Sequence, residues 1–187
     1  MEDPAVDDVS RAQRGDEAAF GRVYAHVHPR LVRYLSTLVA FEAEDVAAET
    51  WLQVCRDLDR FDGDLSDFRG WVVTIGRHRA LDHLRSTRRR PVEPREPFLV
   101  DSGLWGASGP DYADAADVGE EAEATRAALE LINSLPPDQA AAVMLRVVVG
   151  LDAKTAARVL DKRPGAVRMS AHRGLRALAA RLKQDDV

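Results

Sequence analysis

Apolar positions along this 187-residue chain recur at helical spacing in two blocks, from about Glu17 to Leu84 and from about Glu123 to Leu182. No run of alternating β-branched residues competes with them, so the pattern predicts an all-α fold. The nearest strand candidate, LRVVVG (145–150), follows an alanine-rich helical run and ends on Gly150, a residue suited to closing a helix, and is assigned to a helix end. Between the blocks, residues 91–122 carry prolines, glycines and acids without a sustained period and read as a flexible acidic linker. Phe98, Leu99, Leu104, Trp105 and Tyr112 make it stickier than a purely solvated tether. Residues 1–16 read as an acidic N-terminal tail, leaving two small helical domains at 17–90 and 123–187.

Within the first block, AEDVAAETWLQVCRDLDRF (43–61) forms an amphipathic helix. Ala47, Trp51, Val54 and Leu58 make its apolar face, and Asp45, Glu49, Gln53 and Asp57 step by four along another. Leu52 projects beside Asp45 and Glu49, off the core stripe. Acids around an apolar knob suit a docking surface, although a solvated charged face has the same composition. DGDLSD (62–67) is turn chemistry, with Ser66 or Asp67 as the expected cap of the next helix. On that helix Thr74, His78, Asp82, Arg85 and Arg89 share one stripe with Trp71 at its edge, while Val72, Gly76, Ala80 and Leu84 share another. Cations at a helix C-terminus are favourable by about 0.3–1 kcal/mol each. One or two would serve that purpose; Arg85, Arg88, Arg89 and Arg90 exceed it and point to nucleic-acid phosphates, with an aromatic face nearby for unstacked bases.

Punctuation divides the second block into three helices. Pro136 and Pro137 start the first, Gly150 ends it, Asp152 caps a short second, and DKRPG (161–165) turns the chain into the third. Val167, Ala171, Gly174 or Leu175, Leu178 and Leu182 form the apolar seam of the last helix. Arg168, His172 and Arg176 run along another face, beside Met169 and Arg173. Two short helices, a tight turn and a final helix with cations near its start make a helix-turn-helix pattern, whose plain alternative is a three-helix bundle with a charged outer face.

Charge and composition sharpen these readings. The chain is acidic overall, with 26 Lys and Arg against 31 Asp and Glu and a formal charge of −5, so the arginine-rich helix end is a local feature. The single cysteine, Cys55, allows no intramolecular disulfide. The opening MEDPAVDDVS lacks a signal peptide's cationic and apolar regions, and no apolar run approaches the roughly 20 residues of a membrane span, so we expect a cytoplasmic protein without membrane insertion. No phosphate-cradling glycine loop or nucleophile elbow is present, and the pair in HVH (26–28) has no further ligands nearby. Neither enzyme activity nor any cofactor or metal is expected.

Taken in order around the linker, EDVAAETWLQV, FDGDLSDFRGWVVTIGRHRALDHLR and LPPDQAAAVMLRVVVGLDAKTAARVLDKRPGAVRMSAHRGLRAL resemble the polymerase-binding, −10 and −35 segments of a bacterial RNA polymerase sigma factor of the extracytoplasmic-function (ECF) group. The resemblance covers about residues 17–90 and 123–183. It implies that Asp45, Glu49, Leu52 and Gln53 dock on the β′ clamp helices of core RNA polymerase. It implies that Phe61, Gly63, Asp64 and Phe68, with Trp71 and His78, capture a flipped −10 base, and that Arg85, Arg88, Arg89 and Arg90 hold nearby phosphates. Arg163, Arg168, Met169, Ser170, His172 and Arg173 would lie at the −35 groove, with the β flap as that domain's partner on polymerase and an anti-sigma factor as a further partner. Ala48, His78 and Ser170 stand where glutamine, asparagine and arginine are common in the family.

About 30 flexible linker residues span roughly 30 Å when relaxed and reach about 100 Å when extended, against roughly 70 Å for two turns of DNA. A large partner therefore has to hold the linker open, and isolated binding to both promoter elements should be weak. The competing functions are a DNA-binding regulator that uses the helix-turn-helix without polymerase, and a protein-interaction module whose basic surfaces take an acidic partner.

Overall fold

The structure is a computed structural model that describes the backbone of residues 4–89 and 115–185 and the side chains of residues 8–87 and 123–183. Eight α-helices, α1 (Pro4–Gln13), α2 (Glu17–Val39), α3 (Ala43–Asp57), α4 (Leu65–Arg89), α5 (Ala115–Asn133), α6 (Pro137–Val143), α7 (Ala153–Leu160) and α8 (Pro164–Asp185), account for most of it. Among the described residues there is no strand. The all-α expectation holds, and LRVVVG falls in a π-helical turn, Met144–Val148, that continues α6 toward Gly150.

The first block is a bundle of α2, α3 and α4 with α1 laid across it. Its core is the predicted one: Ala47, Trp51 and Val54 from α3 and Val72 and Ala80 from α4 close on Val27, Leu31 and Leu35 of α2. Gly76 lets α4 approach closely, since a Cβ there would lie 2.9 Å from Leu31 Cδ1 and 3.4 Å from Thr50 Oγ1. Two polar side chains packed into the bundle, Tyr34 and His28, are paired, whereas Arg69 Nε, Arg79 Nε and His83 Nε2 are buried without a hydrogen-bond partner. Tyr34 Oη accepts a hydrogen bond from Arg77 Nη1 at 3.1 Å, and burial raises its pKa against the opposing pull of that guanidinium. His28 of the HVH pair accepts from Trp51 Nε1 at 3.2 Å and stacks on Tyr24 at 4.7 Å. Burial lowers its pKa, with Glu44 acting in the opposite direction.

Two local expectations differ from the structure. Asp64 caps α4 by accepting from the Asp67 amide at 2.8 Å, so Ser66 and Asp67 lie inside the first turn. The chain turns at Gly63 (φ +147°), which delivers Asp64 to the cap position ahead of either residue. Within the stretch read as a tail, residues 4–13 are helical, with Val9 and Ala12 buried against the bundle. Ion pairs Arg22–Asp8 (2.6 Å) and Arg11–Asp16 (2.6 Å) tie this helix to α2, so its acids serve partly as anchors.

In the second block α6, α7 and α8 pack around Val143, Leu145, Val159 and Val167. Asp152 caps α7 as expected, accepting from the Thr155 amide at 2.6 Å, which lowers its pKa. Asp161 ends α7 in the left-handed region (φ 51°). The seam of α8 keeps Val167, Ala171, Gly174 and, in part, Leu178, whereas Leu175 and Leu182 are about half exposed. The helix preceding this block starts at Ala115, inside the expected linker, where proline gives way to an alanine- and acid-rich run that favours a helix start. The rest of that linker lies outside the described residues.

The two blocks pack against each other. α4 lies against α7, α2 lies against the 144–148 turn, and the buried apolar residues of both blocks form one cluster. Arg158 of α7 pairs with Asp67 of α4 at 2.6 Å. Gly70 lies so close to Thr155 that a Cβ on it would fall 2.2 Å from Thr155 Cγ2 and 3.7 Å from Thr155 Cβ.

Candidate nucleic-acid interface

The loop from Phe61 to Asp64 is set by the elements on either side of it. α3 tightens into a 3-10 turn at Leu58–Arg60, Phe61 leaves it in an extended conformation, Gly63 reverses the chain, and Asp64 starts α4. The ring of Phe61 meets Phe68 edge-on (5.3 Å, 87°) and lies beside Trp71 (5.2 Å, 30°). Phe68 is fully buried, so it supports the other two rings from below and is itself not available to a ligand, contrary to the expectation from sequence. Half-buried Phe61 and Trp71 line a cleft with Arg60, Asp62 and Asp67. Aromatic faces stack on an unpaired base, and carboxylates accept from the exocyclic amines of adenine or cytosine. Thr155 and Arg158 form the cleft's opposite wall.

Farther along α4, His78 is exposed and Arg85 is exposed and paired with Asp82 at 2.8 Å. The side chains of Arg88, Arg89 and Arg90 lie outside the described residues. Not every cation of this helix is free for a ligand. Arg77 is held by Tyr34, and Arg79 bonds Glu49 (3.0 Å) and Gln53 (3.3 Å) on α3. These last bonds join the acidic face of α3 to the basic helix. Asp45 is exposed and Leu52 is 59% exposed, so the knob stands clear of the core, while Gln53 is half-buried and also bonds Asp57. Phe41, in the turn before α3, is almost wholly exposed and was not singled out from sequence.

On α8, Arg168, Met169, His172 and Arg173 are exposed on the outer face, and Arg163 is exposed just before the helix. Ser170 is 8% exposed and belongs to the seam beside Ala171, so it is not placed to reach a groove as the sequence suggested. Its expected role came from the resemblance alone; helical spacing, three residues after Val167 and four before Gly174, places it on the buried seam. Sequence reasoning also passed over Gln13, Gly70, Thr155 and Arg158, whose partners lie up to 91 residues away.

Comparison with known proteins assigns these elements. Residues 23–90 match the family model for sigma-70 region 2, and residues 125–178 match that for sigma-70 region 4. The ECF RNA polymerase sigma factor ShbA of Streptomyces griseus is 31% identical over 188 residues, covering 94% of each chain. The chain belongs to the ECF group of the sigma-70 family. As such it is a transcription initiation factor that binds core RNA polymerase and directs it to promoter DNA. The ECF sigma factor BldN of Streptomyces coelicolor is 34% identical over 95% of this chain, which spans 65% of BldN's length. The structure of CnrH in complex with the cytosolic domain of CnrY shares the fold, with a TM-score of 0.61 and 22% identity over 98% of this chain and 99% of that one. No helix among the described residues is long and apolar enough to cross a membrane.

Proposed function

We propose that this sigma factor divides promoter recognition among three surfaces and acts by binding alone. The exposed face of α3, with Asp45, Glu49 and Leu52 flanked by Gln53, docks on the β′ clamp helices. Phe61, Trp71 and the loop at Gly63 and Asp64 take an unstacked −10 base, while His78, Arg85, Arg88, Arg89 and Arg90 engage the adjoining strand. Arg163, Arg168, Met169, His172 and Arg173 read the −35 element, close to the β flap. The observation that carries this reading is the aromatic cleft with its carboxylate rim, set at the start of a helix that ends in arginines.

The packing of the two blocks adds an order of events. The −10 and −35 elements lie roughly 70 Å apart, about two turns of DNA, whereas α7 here forms a wall of the −10 cleft. One promoter cannot be engaged by both readers in this arrangement, so the blocks separate. The docking face of α3 stays exposed meanwhile, so polymerase binds first and the linker is drawn open on its surface. An anti-sigma factor is a further partner, favoured by any surface that keeps the closed arrangement.

The phosphate role is tested by replacing Arg85, Arg88 and Arg89 together with alanine. Holoenzyme binding to promoter DNA is measured against salt, and each lost phosphate contact lowers the log–log slope by about 0.7 to 0.9. A total drop of about 2 to 3 is expected. An unchanged slope removes these arginines from the phosphate role and favours their plain use at the helix terminus.

A further inference from the structure

We infer that α1, which precedes the segment matching sigma region 2, is a positioning element for the −10 loop and acts through Gln13. The inference rests on the reading of that loop as a base-capture site. Gln13 Nε2 donates to Leu58 O at 2.9 Å and to Phe61 O at 2.6 Å, spending both of its protons where α3 ends and the loop begins. Leu58 O already accepts from the Phe61 amide at 3.2 Å, so one carbonyl ties together α1, the 3-10 turn and the first loop residue. The last carbonyls of a helix have no partners within it, and a side-chain donor from another element is one way to satisfy them. Here that donor also fixes the residue whose ring forms the wall of the cleft.

The anchor is itself held in place. Val9 is 1% exposed and Ala12 8%, Arg22 reaches Asp8, and Arg11 reaches Asp16. Asp64 holds the other end of the loop by capping α4. The loop is thus pinned at both ends before any base arrives, which spares the ordering cost that a mobile loop would incur on binding. With Gln13 lost, Phe61 O loses its side-chain donor and Leu58 O keeps the Phe61 amide alone, so Phe61 gains freedom to swing away from Trp71.

The test uses holoenzyme and a single-stranded oligonucleotide carrying the non-template −10 region of a promoter mapped by run-off transcription, compared with versions abasic at each position. Wild-type holoenzyme is expected to prefer the intact strand by about tenfold at the captured position, within the range of one base–aromatic stack. Gln13→Glu keeps the shape and loses the donors, and Gln13→Ala loses both. Each should reduce that preference to about threefold or less, with core polymerase affinity and −35 duplex binding unchanged. Wild-type preference in both variants overturns the positioning role alone. No preference at any position in the wild type overturns the base-capture reading, and the positioning role with it.

Discussion

Locking the two blocks together with a disulfide abolishes promoter-directed transcription, and reducing the disulfide restores it. The geometry for the lock is present: a Cβ at position 70 lies 3.7 Å from Thr155 Cβ, inside the roughly 3.5–4.5 Å range of disulfides. Gly70→Cys with Thr155→Cys, made in a Cys55→Ser background to remove the native thiol, removes Thr155 Cγ2, the atom that would clash with a side chain at position 70. Oxidised protein is expected to lose at least about 100-fold in transcript yield, because the open state is removed from the equilibrium and not merely disfavoured. Its affinity for core polymerase should stay within a few-fold of wild type, because Asp45 and Leu52 are exposed in the closed arrangement. Reduced and oxidised protein giving equal yields would show that the contact of α4 with α7 does not limit promoter engagement.

The docking face carries the second large effect. Asp45→Arg with Leu52→Arg places cations where the α3 surface offers an acid and an exposed apolar group, and competition against wild type for core polymerase should show a loss of about 100-fold, the scale of an interface hot spot. Both side chains project into solvent, so the thermal midpoint of the free chain should hardly move. Glu49 is less suitable for this test. It bonds Arg79, and its replacement would disturb α4 as well as the docking face.

What was legible in the sequence was the periodic part. The buried face of α3, the exposed Leu52, the core stripe of α4 and the Asp152 cap follow from residues three or four apart, and the structure returns them with Leu58, in the 3-10 turn after α3, and Leu84 only partly buried. Phe68 and Ser170 took their expected roles from the resemblance to a motif, whereas their helical spacing, four from Val72 and four from Gly174, agrees with the buried stripes on which they lie. α1 was hidden by its acidity, since a ten-residue segment gives periodicity little length to outweigh composition. The contacts between blocks, Asp67 with Arg158 and Gly70 with Thr155, join residues 85 or more positions apart and leave no local signal. Gln13 is likewise an ordinary polar residue until the carbonyls of Leu58 and Phe61 are seen beside it.

The acidic chain and its basic helix end are thereby reconciled. Under the proposed division of surfaces, cations gather at the C-terminal half of α4, where strand phosphates would pass, while the acids of α3 would face polymerase and restrain indiscriminate DNA binding. Run-off transcription from genomic fragments, with bacterial core RNA polymerase in the presence and absence of this chain, tests that account most directly. Discrete start sites that vanish without the chain, and share sequence elements two helical turns apart when aligned, are the predicted result. No new transcripts, together with tight duplex binding by the chain alone, would contradict it.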